Sequence, residues 1–213
     1  MSADRTSETR LLYDTIAETY AEVLPDTRYE APLELGLVDY FIAQLPESGL
    51  PVLDAGCGTG RMLRYLSARG VSNLVGADLS PEMIAFARSS HPEVPLTTAD
   101  LRSLPYEDAS IGAILCWYAI IHSARDEVVS VIREARRVLA PGGPLLFGFQ
   151  AGTGERRVRR AYGHDVTLRG VLHETDEIAQ LLRDADFEVT ATVDRAPVGS
   201  ERDHQGFVMA RRN

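Results

Sequence analysis

Val52-Leu53-Asp54-Ala55-Gly56-Cys57-Gly58-Thr59-Gly60 is the stretch from which the fold can be read. A short apolar run, Pro51-Val52-Leu53, leads straight into an aspartate and three alternating glycines, and a helix spacing follows from about Arg61 to Arg69. A strand that ends in Gly-x-Gly-x-Gly and opens a helix brings unhindered backbone up to a ligand, in dihedrals that glycine tolerates best. The spacing rejects two other nucleotide-binding patterns. A dinucleotide fingerprint, G-x-G-x-x-G, wants Gly or Ala where Arg61 stands, and a P-loop wants Gly-Lys-Ser/Thr, which does not follow.

Outward from this loop the chain alternates. Strands are expected at Leu74–Ala77, Val94–Thr98, Ile111–Trp117 and Leu145–Phe149. One helix opens at Pro81 behind a capping Ser80, and another carries Val128, Val131, Ile132, Ala135, Val138 and Leu139 on one face before Pro141-Gly142-Gly143 stops it. Such alternation implies a parallel sheet covered on both faces.

Two helices precede the first strand. One has a stripe of Tyr13, Ala17, Tyr20 and Leu24; the other has Val38, Phe41, Ile42 and Leu45. After a segment expected to form an irregular cap, a helix with Ile178, Leu181, Leu182 and Ala185 leads to two strands, Phe187–Val193 and Gly206–Arg211, expected to pair antiparallel.

The expected fold is therefore α/β and doubly wound: a mostly parallel seven-stranded sheet, an antiparallel final pair and an N-terminal helical cap. All 213 residues are expected to form one domain, with a helical cap over 1–49, a cofactor core over 50–150, a substrate cap over 151–175 and a C-terminal helix and strand pair over 176–213.

Composition narrows the function. Hydrophobic residues at 45% and charged residues at 25% are ordinary for a folded chain, and the net charge of −9 works against binding a phosphate backbone. All 22 cations are arginines, which removes lysine Schiff-base chemistry. Arg156, Arg157, Arg159 and Arg160 read as a solvated charged face, with contact to an anionic substrate as the alternative. Cys57 and Cys116 lack metal or redox spacing, and no run approaches ~20 apolar residues. The expectation is a cytoplasmic protein with no metal, no nucleic-acid partner and no membrane partner.

The nine residues quoted first are similar, position by position, to the first motif of the class I S-adenosylmethionine-dependent methyltransferases. The resemblance extends over most of Val52 to Phe149 and implies S-adenosylmethionine as cofactor and S-adenosylhomocysteine as product. It implies that Gly56, Cys57, Gly58 and Gly60 approach the methionine part and that Asp54 helps hold the amino group. Asp78, ending the second strand, would accept both ribose hydroxyls, as a carboxylate with two acceptor oxygens can. Thr98-Ala99-Asp100-Leu101 resembles the adenine motif, with Asp100 taking the exocyclic amine and Leu101 offering its N–H. Leu79 and Met83 would wall the ring or pack in the core.

The fourth strand ends in Cys116-Trp117-Tyr118-Ala119, where base-methylating relatives carry Asn/Asp-Pro-Pro-Tyr, so the resemblance implies a small-molecule acceptor. Cys116 and Trp117 would line the cofactor, and Trp117 or Tyr118 would face the sulfonium. Tyr13-Asp14-Thr15-Ile16-Ala17-Glu18-Thr19-Tyr20 resembles a segment laid over the cofactor, which makes Tyr13 and Tyr20 pocket residues. His122 is the first candidate for a general base, with Tyr20 and His164 behind it. Two alternatives stay open: a cofactor-binding protein that does not methylate, serving a structural or cyclisation role, and an NAD-dependent oxidoreductase.

Overall fold

The structure is a computed structural model that describes residues 2–213, and the side chains of all of these except 2–4, 158 and 168. Five strands run parallel: β1 (Val52–Ala55), β2 (Leu74–Asp78), β3 (Leu96–Thr98), β4 (Ala113–Trp117) and β5 (Pro144–Ala151). Two more, β8 (Phe187–Arg195) and β9 (His204–Arg212), complete a seven-stranded sheet in the order β3-β2-β1-β4-β5-β9-β8, with β9 antiparallel to both neighbours. Here β6 and β7 are Glu155–Ala161 and His164–Val171, which form a separate antiparallel pair.

The parallel strands are apolar almost throughout because both faces are covered. Neighbouring residues of one strand go to opposite cores. Leu53, Val75, Ile114 and Cys116 pack on the side of α5 (Arg125–Val138) and α6 (Thr175–Asp184). Val52, Leu74, Leu115 and Trp117 pack on the side of α2 (Pro32–Ile42), α3 (Arg61–Ala68) and α4 (Pro81–Ser90). Ser80 caps α4 as the sequence implies, its Oγ accepting from Met83 N at 3.1 Å.

No helix fills the crossover between β3 and β4. Its backbone is satisfied instead from α5: Glu134 accepts from Leu104 N at 2.6 Å, and Arg137 donates to the carbonyls of Leu104 and Tyr106 at 3.0 and 2.8 Å. Polar groups in such a segment need partners, and two side chains of one helix supply them.

Three expectations need correction. The segment after β5 is not irregular, because β6 and β7 form a regular hairpin whose two-residue loop, Tyr162-Gly163, has positive φ at both positions (51° and 83°). That is the twist a tight hairpin favours. The strands expected at Val94 and Ile111 start two residues later, and β8 and β9 extend beyond their expected ends. In α1 (Ser2–Val23) the apolar stripe is displaced: Leu12, Ile16 and Ala17 pack on Met83, while Tyr13, Tyr20 and, just past the helix end, Leu24 turn toward a cavity. Asp186 takes the left-handed φ of 63° at the turn into β8, and its exposed carboxylate accepts from Arg136 at 2.5 Å.

Candidate functional site

Strand order reverses at β1, since the chain moves outward through β2 and β3 and then returns to place β4 on the other side. Ligand crevices of open α/β sheets form outside the carboxyl ends of the strands at such a point. A cavity of about 290 Å³ lies there. That is close to the lower end of small-molecule sites, roughly 300–1,000 Å³.

The floor is the loop between β1 and α3. Gly56 has φ 83°, and Ala119, beyond β4, occupies the place where a Cβ would sit, so both conformation and space require glycine here. Gly58 has φ 53° and donates its N–H to Asp78 Oδ2 at 2.9 Å. The other oxygen of Asp78 accepts from Ser80 N, also at 2.9 Å. Burial raises the Asp78 pKa against the lowering pull of these backbone bonds.

Asp54 lies beneath the loop, 1% exposed, and its Oδ2 has no hydrogen-bond partner among the described residues. Burial, with Asp78 nearby, pushes its pKa up to about 8. The folded state thus favours the protonated carboxyl, and that stabilisation is complete below the ordinary value of 3.8 and lost as pH rises through about 8. Above about pH 7 the buried histidines His91, His122 and His173, whose pKa values burial lowers, are neutral whether folded or not. Between about pH 7 and 8.5 the melting temperature should therefore fall more steeply in the parent chain than in Asp54→Asn. Parallel slopes in a thermal-shift series would show that Asp54 is not the titrating group.

At the β3 end, Asp100 is held in a fork. Arg102 donates to it from Nε at 3.0 and 3.1 Å and from Nη2 at 2.5 Å, and Arg102 N donates to Oδ1 at 2.9 Å. Burial raises the Asp100 pKa, but the arginine and the backbone bond outweigh it, so the net shift is downward. Arg102 also reaches Glu127 at the start of α5 and Thr6 on α1. Sequence spacing gave no sign of this network, because Thr6 and Glu127 lie far from Arg102 along the chain.

The roof comes from α1 and the β6–β7 hairpin. Asp14 accepts from Ser80 Oγ at 2.6 Å, pinning α1 to the amino end of α4, where a carboxylate is favoured. Tyr20 meets Tyr13 edge-on at 6.2 Å and Tyr162, at the hairpin tip, at 5.1 Å. His164 bonds Thr19 on α1 at 3.2 Å. Arg156 pairs with Asp203, while Arg157, Arg159 and Arg160 are exposed, as a solvated face requires. Tyr162 and Arg61 line the cavity without having been singled out from the sequence; Arg61 pairs there with Glu30.

Of the residues named from the sequence, Tyr13, Tyr20, Gly56, Gly58, Asp78, Leu79, Met83, Asp100, Leu101, Trp117 and His122 all line this one cavity. Asp54, Cys57, Gly60 and Cys116 do not. Burial raises the pKa of both cysteines, so they stay thiols, and Gly60 instead serves the turn into α3 with φ 90°, against His91. Trp117 stacks on Phe207 at 5.4 Å, with its Nε1 buried and unpartnered among the described residues. His164 lies outside the cavity lining.

Residues 52–143 match the family model described as a methyltransferase domain. Over those residues the chain is similar to S-adenosylmethionine-dependent methyltransferases. The chain is 36% identical over 107 residues to a malonyl-[acyl-carrier protein] O-methyltransferase of Pectobacterium atrosepticum, covering 50% of this chain and 41% of that one. It is 30% identical over 150 residues to a probable S-adenosylmethionine-dependent methyltransferase of Mycolicibacterium smegmatis, covering 68% of this chain and 55% of the relative. The chain spans about half the length of the curated relatives it matches.

Among solved structures, a methyltransferase from Methanosarcina mazei superposes with a TM-score of 0.71 at 19% identity, covering 86% of this chain and 98% of that one. The [4+2]-cyclase SpnF superposes at 0.72 and 18%, covering 97% and 96%. At these identities the likeness is one of fold. The cofactor in the name of the Mycolicibacterium smegmatis relative is S-adenosylmethionine. The donor set suits it: an unpartnered buried carboxyl oxygen of Asp54, whose ionised form an ammonium would favour, and the Asp78 carboxylate on the cavity wall for a diol. Among the described residues no helix is long and apolar enough to cross a membrane.

Proposed function

We propose that this chain transfers the methyl group of S-adenosylmethionine to a small-molecule acceptor held between the strand ends and the hairpin. The observation that carries the reading is the gathering of Asp78, Asp100, Gly56 and Gly58 on one cavity at the topological switch of the sheet, with Asp54 buried in β1 two residues before Gly56.

The bound cofactor supplies a methyl carbon activated by its sulfonium. Asp78 accepts the ribose hydroxyls, while Asp100 and the Leu101 N–H take the adenine edge, with Leu79 and Met83 as walls. Asp54 faces the ammonium, and the backbone of Gly56, Cys57, Gly58 and Gly60 gives the methionine part its room. Tyr13, Tyr20 and Trp117 close over the reacting centre, Cys116 backs it, and α1 with the hairpin keeps water out. Holding two reactants in line can by itself remove roughly 7–11 kcal/mol of barrier.

In this reading residues 50–150 are the cofactor core, 1–49 and 151–175 form the acceptor cap, and 176–213 complete a single domain. The net charge of −9 supports small molecules over polyanions as partners, in the cytoplasm.

Incubation with S-adenosylmethionine and chemically diverse acceptors, read as released S-adenosylhomocysteine, should show acceptor-dependent product. Tight cofactor binding with no product across the whole panel would instead support a non-methylating role.

A further inference from the structure

His122 sits just beyond β4, 7% exposed, with both ring nitrogens engaged. Nδ1 lies 2.5 Å from the carbonyl oxygen of Arg169 on β7, and Nε2 lies 2.8 Å from the hydroxyl of Tyr13 on α1. A carbonyl oxygen can only accept, so Nδ1 carries a hydrogen. Burial lowers the imidazole pKa, which leaves Nε2 bare. Burial and the nearby Tyr20 raise the Tyr13 pKa, so its hydroxyl is protonated and donates to Nε2.

An acceptor therefore cannot meet Nε2 directly. It meets Tyr13, which lines the cavity beside His122 and keeps its oxygen lone pairs free to accept. The other titratable groups facing the pair are Tyr20 from α1 and Tyr162 from the hairpin tip; Asp78 and Arg61 act on Tyr13 from the cavity floor. The walls nearby are the rings of Tyr20, Tyr162, Trp117 and Tyr118.

We propose that the acceptor is a phenol, and that its hydroxyl proton passes through Tyr13 Oη to His122 Nε2. This rests on the methyltransferase reading above. The new O–CH3 bond forms as the S–CH3 bond breaks with its electron pair left on sulfur. The acceptor proton moves to Tyr13 Oη while the Tyr13 proton moves to Nε2, and the resulting imidazolium is held by the Arg169 carbonyl. One positive charge is present before the step and one after it: the sulfonium charge is lost as the imidazolium charge appears, and loss of the sulfonium offsets part of the burial cost of charging His122.

In water a phenol and a tyrosine hydroxyl share a pKa near ~10, and the burial that raises Tyr13 acts on a phenol in the same cavity as well, so the relay runs between matched groups. Planar rings on the cavity wall suit a planar aromatic acceptor. A carboxylate acceptor arrives without a proton, and a neutral amine attacks before losing one, so neither uses the relay.

The test compares the parent chain of 213 residues with Tyr13→Phe, His122→Gln and the double variant, after calorimetry has shown that each binds S-adenosylmethionine. The acceptor panel contains phenols, aliphatic amines and carboxylates. Phenols should turn over; each single variant should lower kcat about 10- to 100-fold with KM for S-adenosylmethionine little changed, and the double variant should be no worse than the singles.

Independently of turnover, the His122 nitrogen resonances of the protein bound to S-adenosylhomocysteine should titrate at higher pH in Tyr13→Phe. The lost bond stabilised the neutral ring. Turnover of amines or carboxylates at full rate in Tyr13→Phe, or a His122 titration that Tyr13→Phe leaves unmoved, overturns the proposal while leaving the methyltransferase reading standing. Absence of S-adenosylmethionine binding in the parent chain overturns the reading itself.

Discussion

Gly56→Val should abolish measurable S-adenosylmethionine binding and lower the melting temperature by roughly 4–20 °C. The two effects have separate causes. At φ 83° any L side chain is strained, by roughly 1–2 kcal/mol, and a β-branched one is a genuine outlier. A Cβ at this position also runs into that of Ala119, and overpacking of that kind costs about 1–3 kcal/mol. The sum, about 2–5 kcal/mol, converts to the stated shift at about 2–4 °C per kcal/mol for a chain of this size.

Gly58→Val gives the comparison. Its φ of 53° imposes similar strain, but the nearest atom to a Cβ is Tyr20 Cε1 at 4.0 Å, so the stability loss should be smaller. Combining Gly56→Val with Ala119→Gly should recover part of the stability by opening space. Equal melting shifts for the two glycines would show that the contact with Ala119 is not what demands a glycine at 56.

Asp78→Ala should weaken S-adenosylmethionine binding about 10²- to 10⁴-fold. The estimate takes two hydrogen bonds from ribose hydroxyls to a charged acceptor at about 1.5–3 kcal/mol each, with 1.4 kcal/mol per tenfold. The same substitution leaves Gly58 N and Ser80 N without their acceptor, so the loop loses its tie to β2 as well. Asp78→Asn separates the two losses: its amide oxygen can still accept from one backbone N–H, so stability should fall less than in Asp78→Ala while cofactor affinity still drops. Calorimetric affinity within threefold of the parent for Asp78→Ala would remove Asp78 from the cofactor site.

Much of this site was legible because its residues are fixed by local sequence. Asp54 lies near the end of one strand, with Gly56 and Gly58 directly after it, and Asp78 ends the next, so the parallel sheet that brings the strand ends together also brings these residues together. Ser80 and Pro81 marked the start of α4 through capping chemistry that is local by nature.

What stayed hidden depends on pairings distant in sequence. Tyr13 and His122 are 109 positions apart, and nothing in either neighbourhood announces the other. His122 is recognisable as a candidate base, yet only the fold shows its Nε2 already taken. Arg102 adjoins the adenine motif, but its grip on Asp100 reads in sequence as an ordinary surface arginine.

The hairpin escaped for a different reason. Strand β6 reads Glu-Arg-Arg-Val-Arg-Arg-Ala and stands off the main sheet, so it lacks the apolar alternation of a strand packed on a core. Its one local signal was Gly163, second of the two loop residues with positive φ. The displaced stripe of α1 has a related origin. That helix buries Leu12 and Ile16 against α4 and offers Tyr13 and Tyr20 to the cavity, so two apolar faces overlap within one helical period.

The central claim is that the cavity at the strand ends is a site for S-adenosylmethionine, and calorimetric titration of the full chain tests it most directly. The account predicts one S-adenosylmethionine or S-adenosylhomocysteine bound per chain, with affinity lost in Asp78→Ala and no heat from NAD. Heat from NAD with none from S-adenosylmethionine or S-adenosylhomocysteine would contradict it.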